Sequence, residues 1–325
     1  MTLALVEHES GVPAESSLET LTMARDLADA HGTALEVVAF GDEAAGLADE
    51  LGPYGVEEVH CVRHDRLEGY APEAWAESVA QLGSELDASA VVAPGTGRGH
   101  DVLARVGATL DAPMAANCVE IELADGGESY EVTRHRWGGS LLEHARLEAA
   151  TKLVTAAEHE FPIEEAETPT EPSVNEFTPS LEDAHLRVRV DRVETSDEEG
   201  IPLGEARVVV GGGRGVGGPE EYDTLEELAD LLGGTVGASR AAINEGWRPH
   251  DDQIGQTGAK ISPDIYIACG ISGAVQHMVG CAGADTLLAI NTDPEAAIIQ
   301  KADYAVVGDL HEVVPALNDA LRDTT

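Results

Sequence analysis

The sequence predicts an α/β protein of two domains, and three observations carry that prediction. Strand-like and helix-like runs alternate in both halves, glycines gather after the strands of the second half, and a Pro/Glu/Thr-rich stretch separates the halves. A β-α-β-α rhythm argues for mainly parallel sheets with helices on both faces. Residues 1–190 are expected to form a mainly parallel α/β domain with added antiparallel strands. Residues 200–325 are expected to form a doubly wound, Rossmann-like domain. A chain of 325 residues is long enough for both.

The elements follow in order. "LALVEH" (Leu3–His8) is a short apolar strand. Leu18, Leu21, Ala24, Leu27 and Ala28 then share one helical face, and Gly32 stands where a helix stops. "ALEVVAFG", "VEEVHCV" and "ASAVVAPG" read as further strands, with helices over Pro72–Leu86 and Asp101–Leu110. From Asn117 strands succeed one another: "NCVEIEL", "SYEVTRHRW" and "ARLEAATKLVTAA", the first two joined at Asp125-Gly126-Gly127. Residues 158–180 are acidic and rich in Pro and Thr, and read as an extended surface segment. An amphipathic stretch, "AHLRVRVDRVE", follows it. From Ala206 the rhythm returns with strands "ARVVVGGG", "TVGAS", "DIYIACG", "TLLAIN" and "YAVVGD". Helices are expected over Thr224–Leu232, Ser272–Val279, Glu295–Ala302 and His311–Leu321.

Charge narrows the setting. Sixty-one acids against 19 bases give a formal charge of −42, and the acids are spread along the chain. The apolar periodicity argues against disorder, so the surface itself must be acidic. Such a surface repels itself at low ionic strength and tolerates screening salt, which points to a salt-rich cytoplasm. The same field disfavours nucleic acid as a partner. No leader pattern opens the chain and no run of about 18 apolar residues occurs, so no membrane insertion is expected. Cys61, Cys118, Cys269 and Cys281 form no CxxC pair and read as buried free thiols. The histidines show no metal spacing, and neither HExxH nor GxSxG is present, so no metal and no catalytic residue are assigned.

Four stretches carry chemistry. "VVVGGGRGVGG" (Val208–Gly218) runs a strand into glycines around Arg214, a loop whose N–H groups can face an anion. It is not the GxGxxG fingerprint, and a flexible turn explains it nearly as well. "ASRAAINEGWRPHDDQIGQTG" (Ala238–Gly258) puts Arg240 at a strand's carboxyl end, then neutral Gln253, Gln256 and Thr257 in a chain dominated by acids. A polar loop explains the glycines. A ligand wanting neutral donors and one cation explains the side chains as well. In "IACGISGAVQH" (Ile267–His277) a strand stops at Gly270, and Ser272 is expected to cap a helix whose free N–H groups favour pyrophosphate. A lone helical His277 is more often structural than functional. Asn291 and Asp309 each follow a strand and alone read as turn or cap residues.

Together these segments resemble the electron transfer flavoprotein alpha subunit. The family signature "LYIA.GISGAIQH…AIN.DP.API" is matched by "IYIACGISGAVQH" and "AINTDPEAAI", with "GASRAA" and "QIGQTG" in the same order. The match spans Ala206 to Leu321, and the first domain fits in element order and length. One departure is Ala259, where the family usually has Lys after GQTG; Lys260 follows it. The resemblance implies a heterodimer with a beta subunit and one FAD held mostly by this chain. It implies that Arg214, Ser239, Ser272 and the amides of Gly273, Ala274, Val275 and Gln276 hold ribityl and phosphate groups. Gln253, Ile254, Gly255, Gln256 and Thr257 would line the ring and ribityl chain, with the Thr257 hydroxyl at flavin N5. Arg240 would lie against the isoalloxazine and His277 near O2, while Asn291, Asp309 and Leu310 would serve the adenosine end.

The implied role is an electron carrier rather than a substrate-converting enzyme. It would take electrons from dehydrogenases, such as the acyl-CoA dehydrogenases of fatty acid beta-oxidation, and pass them to a membrane quinone oxidoreductase. Single-electron delivery requires a stabilised anionic flavin semiquinone, and a cation with an N–H donor nearby would supply that. The alternatives are an NAD-type nucleotide-binding enzyme of similar fold, and a non-catalytic nucleotide sensor or scaffold.

Overall fold

The computed structural model describes residues 1–137, 139, 141–190 and 201–322. The chain divides into two compact units, Met1–His135 with Leu142–Glu194, and Arg136–Leu141 with Thr195–Thr325. The expected boundary region, residues 191–200, including the end of "AHLRVRVDRVE", lies outside the described residues.

The first unit opens with β1 (Thr2–Leu5), a small antiparallel pair β2 (His8–Glu9) and β3 (Val12–Pro13), α1 (Glu15–His31) and β4 (Leu35–Phe40). It continues through α2 (Leu47–Leu51), β5 (Glu58–Val62), α3 (Pro72–Glu85), β6 (Ala90–Pro94) and α4 (Gly97–Leu110). Then come β7 (Met114–Ala124), β8 (Ser129–Arg136), β9 (Leu141–Glu148), β10 (Lys152–Ala156) and β11 (Ser173–Phe177). One nine-stranded sheet runs β11-β5-β4-β1-β6-β10-β7-β8-β9. The strand side chains alternate between its faces: Ala4, Val37 and Val92 enter one core, and Leu3, Leu5, Val38 and Val91 the other. Helix α1 ends as its sequence predicts: Gly32 adopts φ 64° and its N–H closes the last turn on the Asp29 carbonyl.

Three expectations change here. The first strand covers only Thr2–Leu5. The expected single strand across residues 145–157 is two, because β10 leaves the antiparallel pieces and inserts parallel between β6 and β7. The extended segment contains β11, which pairs in parallel with β5 and forms the edge of the sheet. The antiparallel addition itself holds, since β7 and β8 pair across the Asp125–Gly127 turn.

The second unit contains β12 (Val208–Gly212), α5 (Asp223–Leu232), β13 (Thr235–Ser239), α6 (Arg240–Asn244) and β14 (Gln253–Ile254). It ends with β15 (Ile265–Cys269), α7 (Val275–Met278), β16 (Thr286–Asn291), α8 (Ala297–Lys301), β17 (Tyr304–Val307) and α9 (Leu310–Arg322). Its six strands are all parallel, ordered β14-β13-β12-β15-β16-β17. The chain winds outward one way from β12, then returns to β15 and winds the other way. That reversal is the doubly wound order, and its crevice lies beyond the carboxyl ends of β12 and β15. Val210, Ile267 and Ile290 pack on one face, and Val209, Tyr266 and Ala289 on the other.

Two helices are shorter than expected. The helix foreseen from Ser272 is the single turn Val275–Met278, with Ala274 rather than Ser272 at its cap position. The helix foreseen from Glu295 begins at Ala297. Strand β14 is a two-residue addition that its sequence does not announce. Among the described residues no helix is long and apolar enough to cross a membrane, and all four cysteines are buried and free.

Candidate functional site

A cleft of about 760 Å³ opens at that reversal point in the second unit. Its walls are the ends of β12, β13 and β15 and the loops that follow them. Such a volume suits a dinucleotide-sized ligand, since ligand clefts run to roughly 300–1,000 Å³.

The glycines of "GGGRGVGG" serve a different purpose from the one their sequence suggested. The N–H groups of Gly213 and Gly215 donate to the carbonyls of Cys269 and Gly270, and those of Val216 and Gly217 close turns within the loop. A Cβ on Gly213 would fall 2.2 Å from the Gly270 carbonyl oxygen. The glycines therefore let two strand ends meet, and the loop is not a free amide nest. What it delivers to the cleft is Arg214.

Arg214 and Arg240 both line the cleft and both are exposed. Among the described residues neither makes an ion pair. This is notable in so acidic a chain, where Arg63, Arg105, Arg134, Arg146, Arg248 and Arg322 all hold carboxylates. Ser239 ends β13 and caps α6, its hydroxyl oxygen accepting the Ala242 N–H at 3.4 Å. Its own O–H proton remains for the cleft. Asn244, one helical turn beyond Arg240, also reaches the cleft.

The "QIGQTG" loop is a self-bonded turn. Ala259 N–H donates to the Gln253 carbonyl at 2.6 Å, and the Ala259 carbonyl accepts from Gly255 N–H at 3.1 Å. The residue after GQTG thus acts through its backbone, while its side chain packs on the apolar cluster around Ile254 and Ile261. Buried Gln253 donates from Nε2 to the Thr257 hydroxyl at 3.0 Å, so the Thr257 proton is left to donate elsewhere. The Gln256 N–H bonds the Gln276 carbonyl at 2.8 Å and ties this loop to the next.

That next loop turns at Gly270 (φ 63°) and Gly273 (φ 79°). A Cβ on Gly273 would meet the Ile298 nitrogen at 2.3 Å. The N–H groups of Gly273, Ala274, Val275 and Gln276 donate to no group among the described residues. Ser272, Ala274 and Gln276 line the cleft, whereas Gly273 and Val275 lie outside its lining. Asn291 lines it too, with both ends engaged: its Nδ2 donates to the Ile271 carbonyl and its Oδ1 accepts the Asp293 N–H. Asp309 accepts the His311 N–H at the start of α9, and Leu310 is buried in the core, so neither belongs to the lining. Gly215, Ala241, Asn244, Gly270, Ile271, Asp293 and Ala296 complete the lining and were not foreseen. Most are small groups that contribute shape. Asn244 alone carried a signal, its helical spacing from Arg240.

His277 forms part of the cleft wall and is only 7% exposed. Its Nε2 lies 2.8 Å from the hydroxyl of fully buried Tyr266. Burial drives its pKa down to about 4, against an opposing backbone hydrogen bond to Ile254, so the ring is neutral at pH 7. Nδ1 is buried with no hydrogen-bond partner in full geometry. Burial also pushes the nearby Cys269 and Cys281 thiols up to about 12.

One cluster of potential metal ligands lies elsewhere. Glu36, Glu58 and His60 approach one another on the first sheet, although the histidine spacing had suggested none. His60 Nε2 stands 2.6 Å from Glu36 Oε2, the distance of a direct hydrogen bond.

A doubly wound parallel domain, with two unpaired arginines and a run of free amides at its reversal point, defines a protein that binds a phosphate-bearing nucleotide cofactor. The comparisons with known proteins narrow this. Residues 2–182 match the electron transfer flavoprotein domain, and residues 202–282 match the electron transfer flavoprotein FAD-binding domain. The chain belongs to the electron transfer flavoprotein alpha-subunit family. It is 32% identical over 317 residues to electron transfer flavoprotein subunit alpha of Thermoanaerobacterium thermosaccharolyticum, covering 97% of this chain and 96% of that one. It is 34% identical to the Megasphaera elsdenii subunit, covering 98% and 95%. It is 34% identical to the mitochondrial alpha subunit of Arabidopsis thaliana, covering 99% and 90%.

The residues present fit FAD. Two arginines without carboxylates among the described residues, and the unused N–H groups of Ala274 and Gln276 on the cleft lining, suit a pyrophosphate. A neutral, buried imidazole and the Thr257 hydroxyl suit the uncharged polar edge of a flavin.

Proposed function

We propose that this cleft holds FAD and that the chain pairs with a beta subunit as an electron carrier. The pair takes electrons from dehydrogenases, among them the acyl-CoA dehydrogenases of fatty acid beta-oxidation, and delivers them to a membrane quinone oxidoreductase. The observation that carries this reading is the pairing of Arg214 and Arg240, both without carboxylate partners, around one cleft of an otherwise acidic chain. FAD, when bound, supplies the chemistry: it accepts two electrons together and releases them one at a time.

The protein's part is electrostatic and steric. Arg240 presents a permanent cation at the cleft wall and favours negative charge on a ring held beside it. Its backbone stands at the junction of β13 and α6, which keeps the cation beside the cleft. Thr257, its oxygen engaged by Gln253, turns its proton outward as a donor. Arg214, Ser272 and the amides of Ala274 and Gln276, all on the cleft lining, neutralise phosphate charge. His277 contributes a neutral ring, whose dipole rather than charge acts on the cleft. No proton-transfer pair is required for such a carrier. The acidic surface suits work in a salt-rich cytoplasm.

Co-expression with the beta subunit in concentrated salt provides the test. An acyl-CoA dehydrogenase with its substrate should bleach the bound flavin, and membranes containing the quinone oxidoreductase should restore its colour. A flavin that no acyl-CoA dehydrogenase reduces would remove these donors from the proposal.

A further inference from the structure

Tyr266 is a fully buried phenol in the middle of a β-strand, and its hydroxyl has one hydrogen-bond partner among the described residues, His277 Nε2 at 2.8 Å. Gly211 packs directly on that hydroxyl, since a Cβ there would fall 2.2 Å from the Tyr266 oxygen. The site is therefore closed on one side by backbone and on the other by the imidazole.

Two arrangements of protons are possible in so tight a pair. If Nε2 carries the proton and donates to the phenol oxygen, the phenol's own proton faces no acceptor. The Nδ1 lone pair is then buried without a donor as well. If the phenol donates, Nε2 accepts and the ring proton sits on Nδ1. Only that proton then needs an acceptor. The backbone of Ile254 interacts in the sense that favours the protonated ring, as an acceptor does. The first arrangement leaves two buried polar groups unmet and the second leaves at most one. A single such group is worth tenfold or more in a populations ratio, on the order of its desolvation cost.

We propose that Tyr266 is a positioning residue: its hydroxyl donates to His277 Nε2 and holds the ring in the Nδ1–H tautomer. The N–H end is the positive end of the imidazole dipole. It is buried behind the cleft wall that His277 helps to form. A neutral ring so held places partial positive charge beneath that wall without becoming an ion. The effect on a flavin rests on the reading of the cleft given above. The tautomer itself does not.

The test is ¹⁵N spectroscopy of the assembled alpha–beta complex with labelled histidine, with FAD bound and after its removal. The wild-type His277 should show a protonated Nδ1 and an unprotonated Nε2 in both forms. Tyr266→Phe should lower the Nδ1–H to Nε2–H ratio by about tenfold, and both nitrogens should move toward the averaged position. A protonated Nε2 in the wild type overturns the proposal, as does an unchanged ratio in Tyr266→Phe. If that variant does not fold, the wild type still decides through scalar coupling between the Tyr266 hydroxyl proton and Nε2, whose absence overturns it. Movement of the His277 signals on FAD removal tests the cleft reading separately. Signals in the Nδ1–H form that ignore FAD sink the flavin assignment and leave the tautomer standing.

Discussion

Acidification should weaken the second unit through His277 by an amount that can be worked out. In an unfolded chain the imidazole titrates near 6.5, and in the fold burial holds it at about 4. Between those values the unfolded chain binds a proton that the folded chain refuses, so stability falls as pH falls. Above about 6.5 the contribution is complete, and below about 4 both states are protonated and no further loss comes from this group. At about 1.4 kcal/mol per pH unit over that span, the loss is roughly 3 kcal/mol. Tyr266, Cys269 and Cys281 face the same region, and their raised pKa values keep them neutral throughout. The assay is urea unfolding in constant high salt from pH 7 to 4, comparing wild type with His277→Gln. Glutamine can still accept from the Tyr266 hydroxyl but does not titrate. The wild-type curve should drop more steeply by about 3 kcal/mol across the range. Parallel curves would show that His277 is not buried as a neutral ring, and the reasoning about its environment would fail.

Four further outcomes are expected. Arg240→Ala in the loaded complex should lower the flavin's first-electron potential and the fraction of half-reduced anion during stepwise reduction; an unchanged titration counts against its role. Arg214→Ala should weaken FAD retention by about ten- to a hundredfold, the range for losing a charge-assisted contact of about 1.5–3 kcal/mol, with little effect on potential; equilibrium dialysis measures it, and undiminished affinity contradicts it. Gly273→Ala forces a side chain into positive φ and against the Ile298 backbone, so unfolding should require roughly 2–4 kcal/mol less, and a retained melting temperature would disprove the close approach. Dilution from molar salt to about 0.1 M extends screening from about 3 to about 10 Å, so the urea midpoint should fall; an unmoved midpoint would mean the −42 charge is already balanced locally.

What the sequence made legible follows from the range of the forces involved. Five strands of the second unit were readable because each is a short, mostly apolar run, three of them closed by glycine as in "IYIACG", and their order in the sheet follows from parallel winding. The cleft residues Arg214, Arg240, Gln253, Gln256 and Thr257 were readable as polar groups out of place in an acidic chain, whereas Ser272 read as a helix cap and Ser239 entered only through the family resemblance. Strand β14 was not, because Gln253 and Ile254 have no periodicity of their own and become a strand only by pairing with Ala238 and Ser239. Strand β11 was hidden for a related reason: Ser173–Phe177 lies between Pro172 and Pro179 and is mostly exposed, so nothing but β5 makes it a strand. The insertion of β10 between β6 and β7 is a long-range choice that "ARLEAATKLVTAA" does not encode locally. The amides of Gly213 and Gly215 illustrate the limit at the site itself. Glycine marks a close approach, but whether to a ligand or to another strand is decided by Cys269 and Gly270, more than fifty residues away. The partnership of Tyr266 with His277 was equally silent, since a strand tyrosine reads as core until its hydroxyl is seen.

The central claim is that FAD occupies the cleft beyond β12, β13 and β15, and blocking that cleft tests it most directly. Ala274 is exposed on the cleft wall and Val275, its neighbour, is exposed outside it. The flavin content of the purified alpha–beta complex should fall to near zero in Ala274→Trp, with the far-ultraviolet spectrum unchanged, and stay at the wild-type level in Val275→Trp. Full flavin occupancy in Ala274→Trp would mean the cofactor sits elsewhere.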